Sequence, residues 1–224
     1  MTKLIIALHG TGLDTRLAAP ELRNALATAG ATAVALNLDD ADVAPAMMRF
    51  GPAARITALV SVWTEGDPAA AVRTVADVAE EPAPHAYRVR EHVRLDPLPV
   101  PDGTRSDALA DIALLRRPES MPRAEYLRYW LVHHTPIAIR TQNTVAYIQN
   151  VVEETLTPAA PEVAAVVEEH FPMAAMTDPH EFYGSGGDQA ELDRRITELM
   201  ASVARFGADT GLDLVPTSRY HWNL

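Results

Sequence analysis

The sequence predicts an α+β protein built from two tandem ferredoxin-like (βαββαβ) units, and three observations carry that expectation. Strand and helix signals run in the order βαββαβ, break off, and run in the same order again. The break is Asp96–Thr104, where Pro97, Pro99 and Pro101 alternate with other residues and Asp102-Gly103 follows. Alternate prolines keep a backbone extended, and Asp-Gly turns it. Each unit has only two helices, which cover one face of a four-stranded sheet and leave the other face bare. The simplest cover is the other unit. The expected arrangement is a unit at 1–97 and another at 105–224, packed sheet to sheet as an internal pseudo-dimer. The sheets would enclose a central space able to hold a small hydrophobic molecule. Pairing of whole chains as a homodimer stays open at this level.

In the first unit, Lys3–His9 reads as strand and Ala19–Ala29 as helix, with Pro20 suited to its first turn and Gly30 to its end. Ala31–Leu38 and Ile56–Thr64 read as strands; in the latter Thr57, Leu59, Ser61 and Trp63 alternate with Ala58, Val60 and Val62. Pro68–Glu80 reads as a helix capped by Asp67. Tyr87, Val89, Glu91 and Val93 then alternate with Arg88, Arg90, His92 and Arg94, a strand with one basic face. In the second unit, Ala108–Leu115, Val145–Val152, Val163–Phe171 and Leu214–Trp222 read as strands. Arg123–Arg140 reads as a helix with a proline break, and Asp188–Phe206 as a long helix opened by Asp188 and closed by Gly207.

Composition narrows the function. Of 224 residues, 48% are apolar and 22% charged, a balance that folds. The formal net charge of −11 opposes phosphate backbones and anionic lipid, so neither nucleic acid nor a membrane is expected as partner. Leu4–Leu8 is too short to span a bilayer and no leader pattern surrounds it, so a cytoplasmic location is expected. The absence of cysteine removes disulfides, thiolate metal sites and a cysteine nucleophile together. Lys3 is the only lysine, which argues against Schiff-base chemistry.

The densest chemistry lies in Glu125–Pro136, which reads EYLRYWLVHHTP. At about 100° per residue, Leu127, Trp130, Leu131, His134 and Ala138 share one helical stripe, with Tyr126, Tyr129 and His133 along a flank. A helix cannot run undisturbed through Pro136. It is expected to stop near His134 and restart with Thr135 as cap and Pro136 as first helical residue. A histidine at such a break lies beside free backbone groups. The plainer readings are a hydrogen-bonded core histidine and, for Trp130, a packing residue.

The segment Tyr126-x-x-Tyr129-Trp130-x-x-x-His134-x-Pro136 resembles the signature of the EthD family, within the dimeric α+β barrel superfamily. Leu114-Leu115-Arg116-Arg117-Pro118, Tyr147-Ile148-Gln149-Asn150, Val166-Val167-Glu168, Ser202-Val203-x-x-Phe206 and Val215-Pro216-x-Ser218-x-Tyr220 extend the resemblance over residues 108–224. The first half lacks the motif, and Arg219 stands where the family commonly has an acid. The resemblance implies a cofactor-free enzyme of lyase or cyclase type, acting on a hydrophobic carbonyl, polyketide-like or aromatic metabolite by cyclisation, dehydration or decarboxylation. It implies His134 as the site residue. A neutral imidazole can take a proton beside a carbonyl and return it elsewhere, and Tyr126 or Tyr129 could hydrogen-bond a developing enolate oxygen. Around them, His133 and Trp130 are expected to contact substrate. On the following strand Tyr147 and Gln149 share one face and Ile148 and Asn150 the other, and either polar residue, Gln149 or Asn150, could line a cavity according to which face meets it. His9, at the end of the first strand, holds a comparable place in the first unit. The alternatives are a monooxygenase or haem-handling member of the same superfamily, and a non-catalytic binding protein.

Other motifs fail. Gly10-Thr11-Gly12 follows a strand, but Thr15 stands where a dinucleotide fingerprint needs a small residue. Gly184–Gly187 reads as a loop and Pro161–Glu169 as strand, not as a charged ligand site. His133 and His134 point about 100° apart on a regular helix and cannot clamp one ion, so no metal is expected. His170, His180, Tyr183 and His221 have no assigned role.

Overall fold

A computed structural model describes residues 1–51, 55–80 and 82–224 of the chain. Among these residues eight strands form, most of them buried on both faces over much of their length. In the first half these are Thr2–His9 (β1), Ala31–Leu38 (β2), Ile56–Thr64 (β3) and His85–Leu95 (β4). In the second they are Leu109–Leu115 (β5), Ala146–Thr155 (β6), Ala165–Phe171 (β7) and Asp213–Asn223 (β8). Leu13–Ala18 (α1), Pro20–Thr28 (α2) and Pro68–Ala79 (α3) belong to the first half. Arg123–Arg128 (α4), Thr135–Thr141 (α5), Pro179–Tyr183 (α6) and Gln189–Arg205 (α7) belong to the second. Asp67 and Asp188 cap α3 and α7 as expected, accepting from the backbone N–H of Ala69 and of Ala190 and Glu191. None of these helices, among the described residues, is long and apolar enough to cross a membrane.

Every strand pairs antiparallel with two neighbours, in the ring order β1-β3-β2-β8-β5-β7-β6-β4. Each half contributes its fourth, first, third and second strands in that spatial order, the ferredoxin-like sheet. The sheets do more than face each other. β2 pairs with β8 and β4 with β6, so hydrogen bonds close the two sheets into one barrel.

The barrel interior is filled, not open as expected. Ile5, Ala7, Leu59, Tyr87, Val89, Ile112, Leu114, Val166 and Val215 pack together at its centre. Toward one end lies a buried ion cluster. Lys3 Nζ meets Glu91 Oε1 at 2.6 Å, Arg219 Nε meets Glu168 Oε1 at 2.8 Å, and His170 Nε2 meets the same Glu168 oxygen at 2.7 Å. The Trp63 indole donates to Glu91 Oε2 at 3.1 Å, and Lys3 Nζ sits 4.6 Å from the Trp63 ring centre. A smaller pocket of about 280 Å³ opens beside this cluster, walled in part by Pro97–Val100.

The two outer faces differ. The first half packs Leu4, Ile6, Leu8, Val34, Leu36, Val60 and Val62 under Leu17, Leu22, Leu26 and Val75 of its helices. In the second half the corresponding rows carry smaller and polar residues: Asp111 and Ala113 on β5, and Ala165, Val167 and Glu169 on β7. Here the helices stand over a cavity.

Candidate functional site

The cavity measures about 440 Å³ and lies between the outer sheet face of the second half and its helices. Ala113, Leu115, Tyr147 and Val167 form its floor, and Trp130, Leu199, Val203 and Phe206 its roof. Met48 and Phe50 reach it from the segment between β2 and β3. That segment is tied down by a two-way backbone bridge, Phe50 N–H to Leu214 O at 3.1 Å and Leu214 N–H to Phe50 O at 2.9 Å. The first half therefore supplies part of the wall of a site built on the second.

His134 lines this cavity and is 6% exposed. The helix carrying it does not stop and restart at Pro136. Instead Tyr129–His134 form a π-helical turn leading into α5, and Thr135 keeps helical angles (φ −49°, ψ −52°). Pro136 has no N–H to give and its ring crowds the preceding turn, so the helix widens rather than breaking. The Thr135 hydroxyl stands in for the missing donor, lying 3.1 Å from Trp130 O and 3.2 Å from Leu131 O. The widened turn carries both Trp130 and His134 inward and leaves His133 exposed.

His134 Nδ1 hydrogen-bonds Ser202 Oγ of α7 at 2.9 Å, and Ser202 Oγ lies 3.3 Å from Tyr129 Oη. The Phe206 ring stands 4.7 Å from the imidazole. Nε2 has no hydrogen-bond partner among the described residues. Burial pulls the imidazole pKa down to about 4, so the ring is neutral at physiological pH.

Besides the exposed Asp209 at its edge, two carboxyl groups line the cavity from the sheet. Asp111 on β5 and Glu169 on β7 are directly opposite across the antiparallel pair. Asp111 is 2% exposed, and neither of its oxygens has a hydrogen-bond partner among the described residues. Burial pushes its carboxyl up to about 7, against a weaker opposing pull from Arg49. Glu169 is pushed up to about 8 by burial and by the Asp111 charge, with the Gln142 side chain opposing. Neither residue stands out as a site residue in the sequence. The available signal was an acid inside the apolar run Leu109–Leu115, and two consecutive acids, Glu168 and Glu169, inside a strand.

The remaining expected residues are distributed as follows. Trp130 and Tyr147 line the cavity. Tyr126 does not, because its ring is fully buried beside Trp130 (centroids 6.4 Å apart) and edge-on to Phe206, and burial raises its phenol pKa. Tyr129 stands behind the cavity wall, its ring 5.9 Å from Phe206 and its hydroxyl linked to His134 through Ser202. Gln149 lies on the Tyr147 face but is held below the helix by Arg94 Nε at 2.9 Å and Thr135 Oγ1 at 3.3 Å. Asn150 faces the barrel interior and donates to Val166 O at 3.2 Å. His9 sits elsewhere, hydrogen-bonded to Arg55 O at 3.1 Å and His85 Nδ1 at 3.2 Å. His170 belongs to the ion cluster and Tyr183 to the cavity wall. Among the described residues no three His, Asp or Glu side chains converge into a metal-ligating group.

The class that this architecture defines is the dimeric α+β barrel, here with both ferredoxin-like sheets on one chain. Solved structures agree. An anthrone oxidase-like protein matches with a TM-score of 0.60 at 12% identity, over 99% of this chain and 92% of the other. A candidate monooxygenase from Fusobacterium nucleatum subsp. nucleatum matches with a TM-score of 0.52 at 9% identity, over 99% and 93%. At such identities the likeness is one of fold. No family model matches the chain, and no curated protein matches it.

Proposed function

We propose that this chain is an enzyme that binds an aromatic or polyketide-like carbonyl compound in the helix-side cavity and catalyses proton transfer on it. Cyclisation, dehydration or decarboxylation is the net result. Membership of the EthD family, suggested by the motif around His134, is part of the same proposal. The observation that carries it is the placement of His134, a neutral imidazole with one nitrogen held by Ser202 and the other unpartnered among the described residues, in a largely apolar cavity of about 440 Å³. Aromatic and aliphatic walls select flat hydrophobic rings. An Nε2–H placed against a carbonyl oxygen stabilises the enolate that forms when a neighbouring C–H proton leaves. Ser202 and Tyr129 orient the imidazole.

A monooxygenase reading is motivated by the fold likeness to the anthrone oxidase-like protein. It shares the first step, since the enolate of a ring ketone is the species that dioxygen attacks. Turnover without dioxygen separates the two. A Soret band in the purified protein would instead support the haem-handling alternative, and tight binding without turnover the carrier alternative.

The test is His134→Ala against a panel of aromatic ring ketones carrying a β-hydroxyl, a carboxyl or a side-chain carbonyl, with exchange of the acidic hydrogens of anthrone as the simplest readout of proton transfer. Turnover is expected to fall roughly 10²–10⁴-fold with the fold retained. His133→Ala, exposed and outside the cavity, is expected to match the parent protein. A His134→Ala protein that keeps its turnover and loses stability would make His134 a core residue and end the proposal.

A further inference from the structure

Asp111 and Glu169 are the paired acids on the sheet side of the cavity. They face each other across β5 and β7, an arrangement that sets the β-carbons of opposite residues about 4.5–5.5 Å apart. Carboxyl groups that close, in a space with little water, do not both ionise readily, and one proton remains with the pair. Structural carboxylates in dry surroundings have partners, but both Asp111 oxygens have none. A buried acceptor without a donor is what a site looks like before a ligand supplies one.

We propose that Asp111 and Glu169 act as a carboxyl dyad that takes the proton from an enolisable ring ketone bound in the cavity, while His134 hydrogen-bonds the ketone oxygen. This rests on the function proposed above and assigns the base within it. In the step, a dyad carboxylate oxygen forms an O–H bond to the substrate's acidic C–H proton. The C–H bond breaks, and its electron pair passes through the ring carbon to the carbonyl oxygen as an enolate. The dyad is left carrying both protons and returns one to carbon or to a departing hydroxyl. No oxidant is required.

The affinities of the groups for protons favour this division of labour. A base works best when its pKa lies near the working pH, as those of Asp111 and Glu169 do, whereas that of His134 is too low for it to hold a proton near neutrality. The charged and titratable groups that bear on the pair or share its cavity are Arg49 between β2 and β3, Tyr147 on β6, Tyr183 on α6, His134 on the π turn and the exposed Asp209 after α7, with neutral Gln142 after α5. Arg49 is the only cation among them, and its guanidinium is engaged by Asp39.

Three measurements on the full chain test the dyad. Difference infrared spectra from about pH 5 to about pH 9 are expected to show a protonated carboxyl that ionises near or above neutrality and is absent from an Asp111→Asn, Glu169→Gln double variant. Anthrone in deuterated buffer without dioxygen is expected to exchange its acidic hydrogens in the parent protein. That exchange should be at least about 100-fold slower in either single variant. Anthrone binding, read by tryptophan fluorescence, is expected to persist in both variants, which shows that they fold. Full ionisation of both carboxyls at pH 6, or unchanged exchange in variants that bind anthrone, overturns the dyad and leaves the cavity reading standing. Failure of the parent protein to bind any ring ketone overturns the cavity reading, and the infrared result then decides the dyad's proton by itself.

Discussion

Consecutive residues of a strand point to opposite faces, so Glu168 turns into the barrel while Glu169 turns out toward the helices. Glu168 is buried and Glu169 half-buried. Around Glu168, burial alone would raise the carboxyl pKa, but the Arg219 guanidinium, the His170 hydrogen bond and the Lys3 charge together hold it well below the ordinary carboxylate range. Because Glu168 is then an acceptor only, His170 Nε2 is the donor. Around Glu169 burial raises the pKa and the Asp111 charge adds to the rise. The two neighbours show that company, not depth, decides the charge of a buried acid. They also separate the molecule into a structural interior with matched charges and a helix-side cavity with unmatched ones.

The largest expected effect comes from breaking the matched side. Glu168→Gln leaves Arg219 buried without its acid and should destabilise the protein by about 3–5 kcal/mol at pH 7, measured by urea unfolding. The Glu168 pKa is lowered in the fold, so its contribution is present above the ordinary carboxylate value and lost as pH falls. The gap between parent and variant should therefore shrink in acid. An unchanged urea midpoint at pH 7 would erase the contrast.

On the unmatched side the sign reverses. The folded Asp111 carboxyl keeps its proton to about pH 7, while the unfolded one loses it near pH 4, so the parent protein weakens as pH rises between these values. Asp111→Asn removes that slope. Its Tm should equal the parent's near pH 4 and exceed it at pH 8, by an amount worth up to about 4 kcal/mol. A variant less stable than the parent at pH 8 would mean that Asp111 is ionised and paired. The smallest effect belongs to Ser202→Ala, expected to cost about 1 kcal/mol through its lost hydrogen bonds and to shift the imidazole nitrogen NMR signals of His134.

The sequence carried the fold further than the site. Alternation in Ile56–Thr64, the capping acids Asp67 and Asp188 and the proline-rich break are local signals, and the structure follows them closely. Local signals were weak where elements were missed. α1 opens at Gly12 (φ 66°) with no side-chain cap, and the extended Ala19 (φ −62°, ψ 142°) divides α1 from α2. α6 is five residues long. His134 and Trp130 could be picked out because they sit in an unusual string of aromatic and imidazole residues, and Tyr147 because it shares a strand face with Gln149 just after that helix. The cavity itself could not, because its volume depends on Ala113 meeting Phe206 and on a first-half segment reaching Leu214. Expecting the ligand between the sheets was reasonable while the bare sheet faces were unaccounted for. The interior proved to be filled by the very residues, among them Ile5, Tyr87 and Val166, that made those faces apolar.

Lys3 has a practical consequence outside catalysis. Its side chain is 4% exposed and salt-bridged to Glu91, and burial draws its ammonium pKa down. With no second lysine in the sequence, the folded molecule presents no ε-amine to acylating reagents, amine-directed cross-linkers or glutaraldehyde. The one ε-amine becomes reactive when β1 parts from its neighbours β3 and β4. Acylation at Lys3, followed by mass spectrometry, is thus a built-in clock for the opening of the barrel.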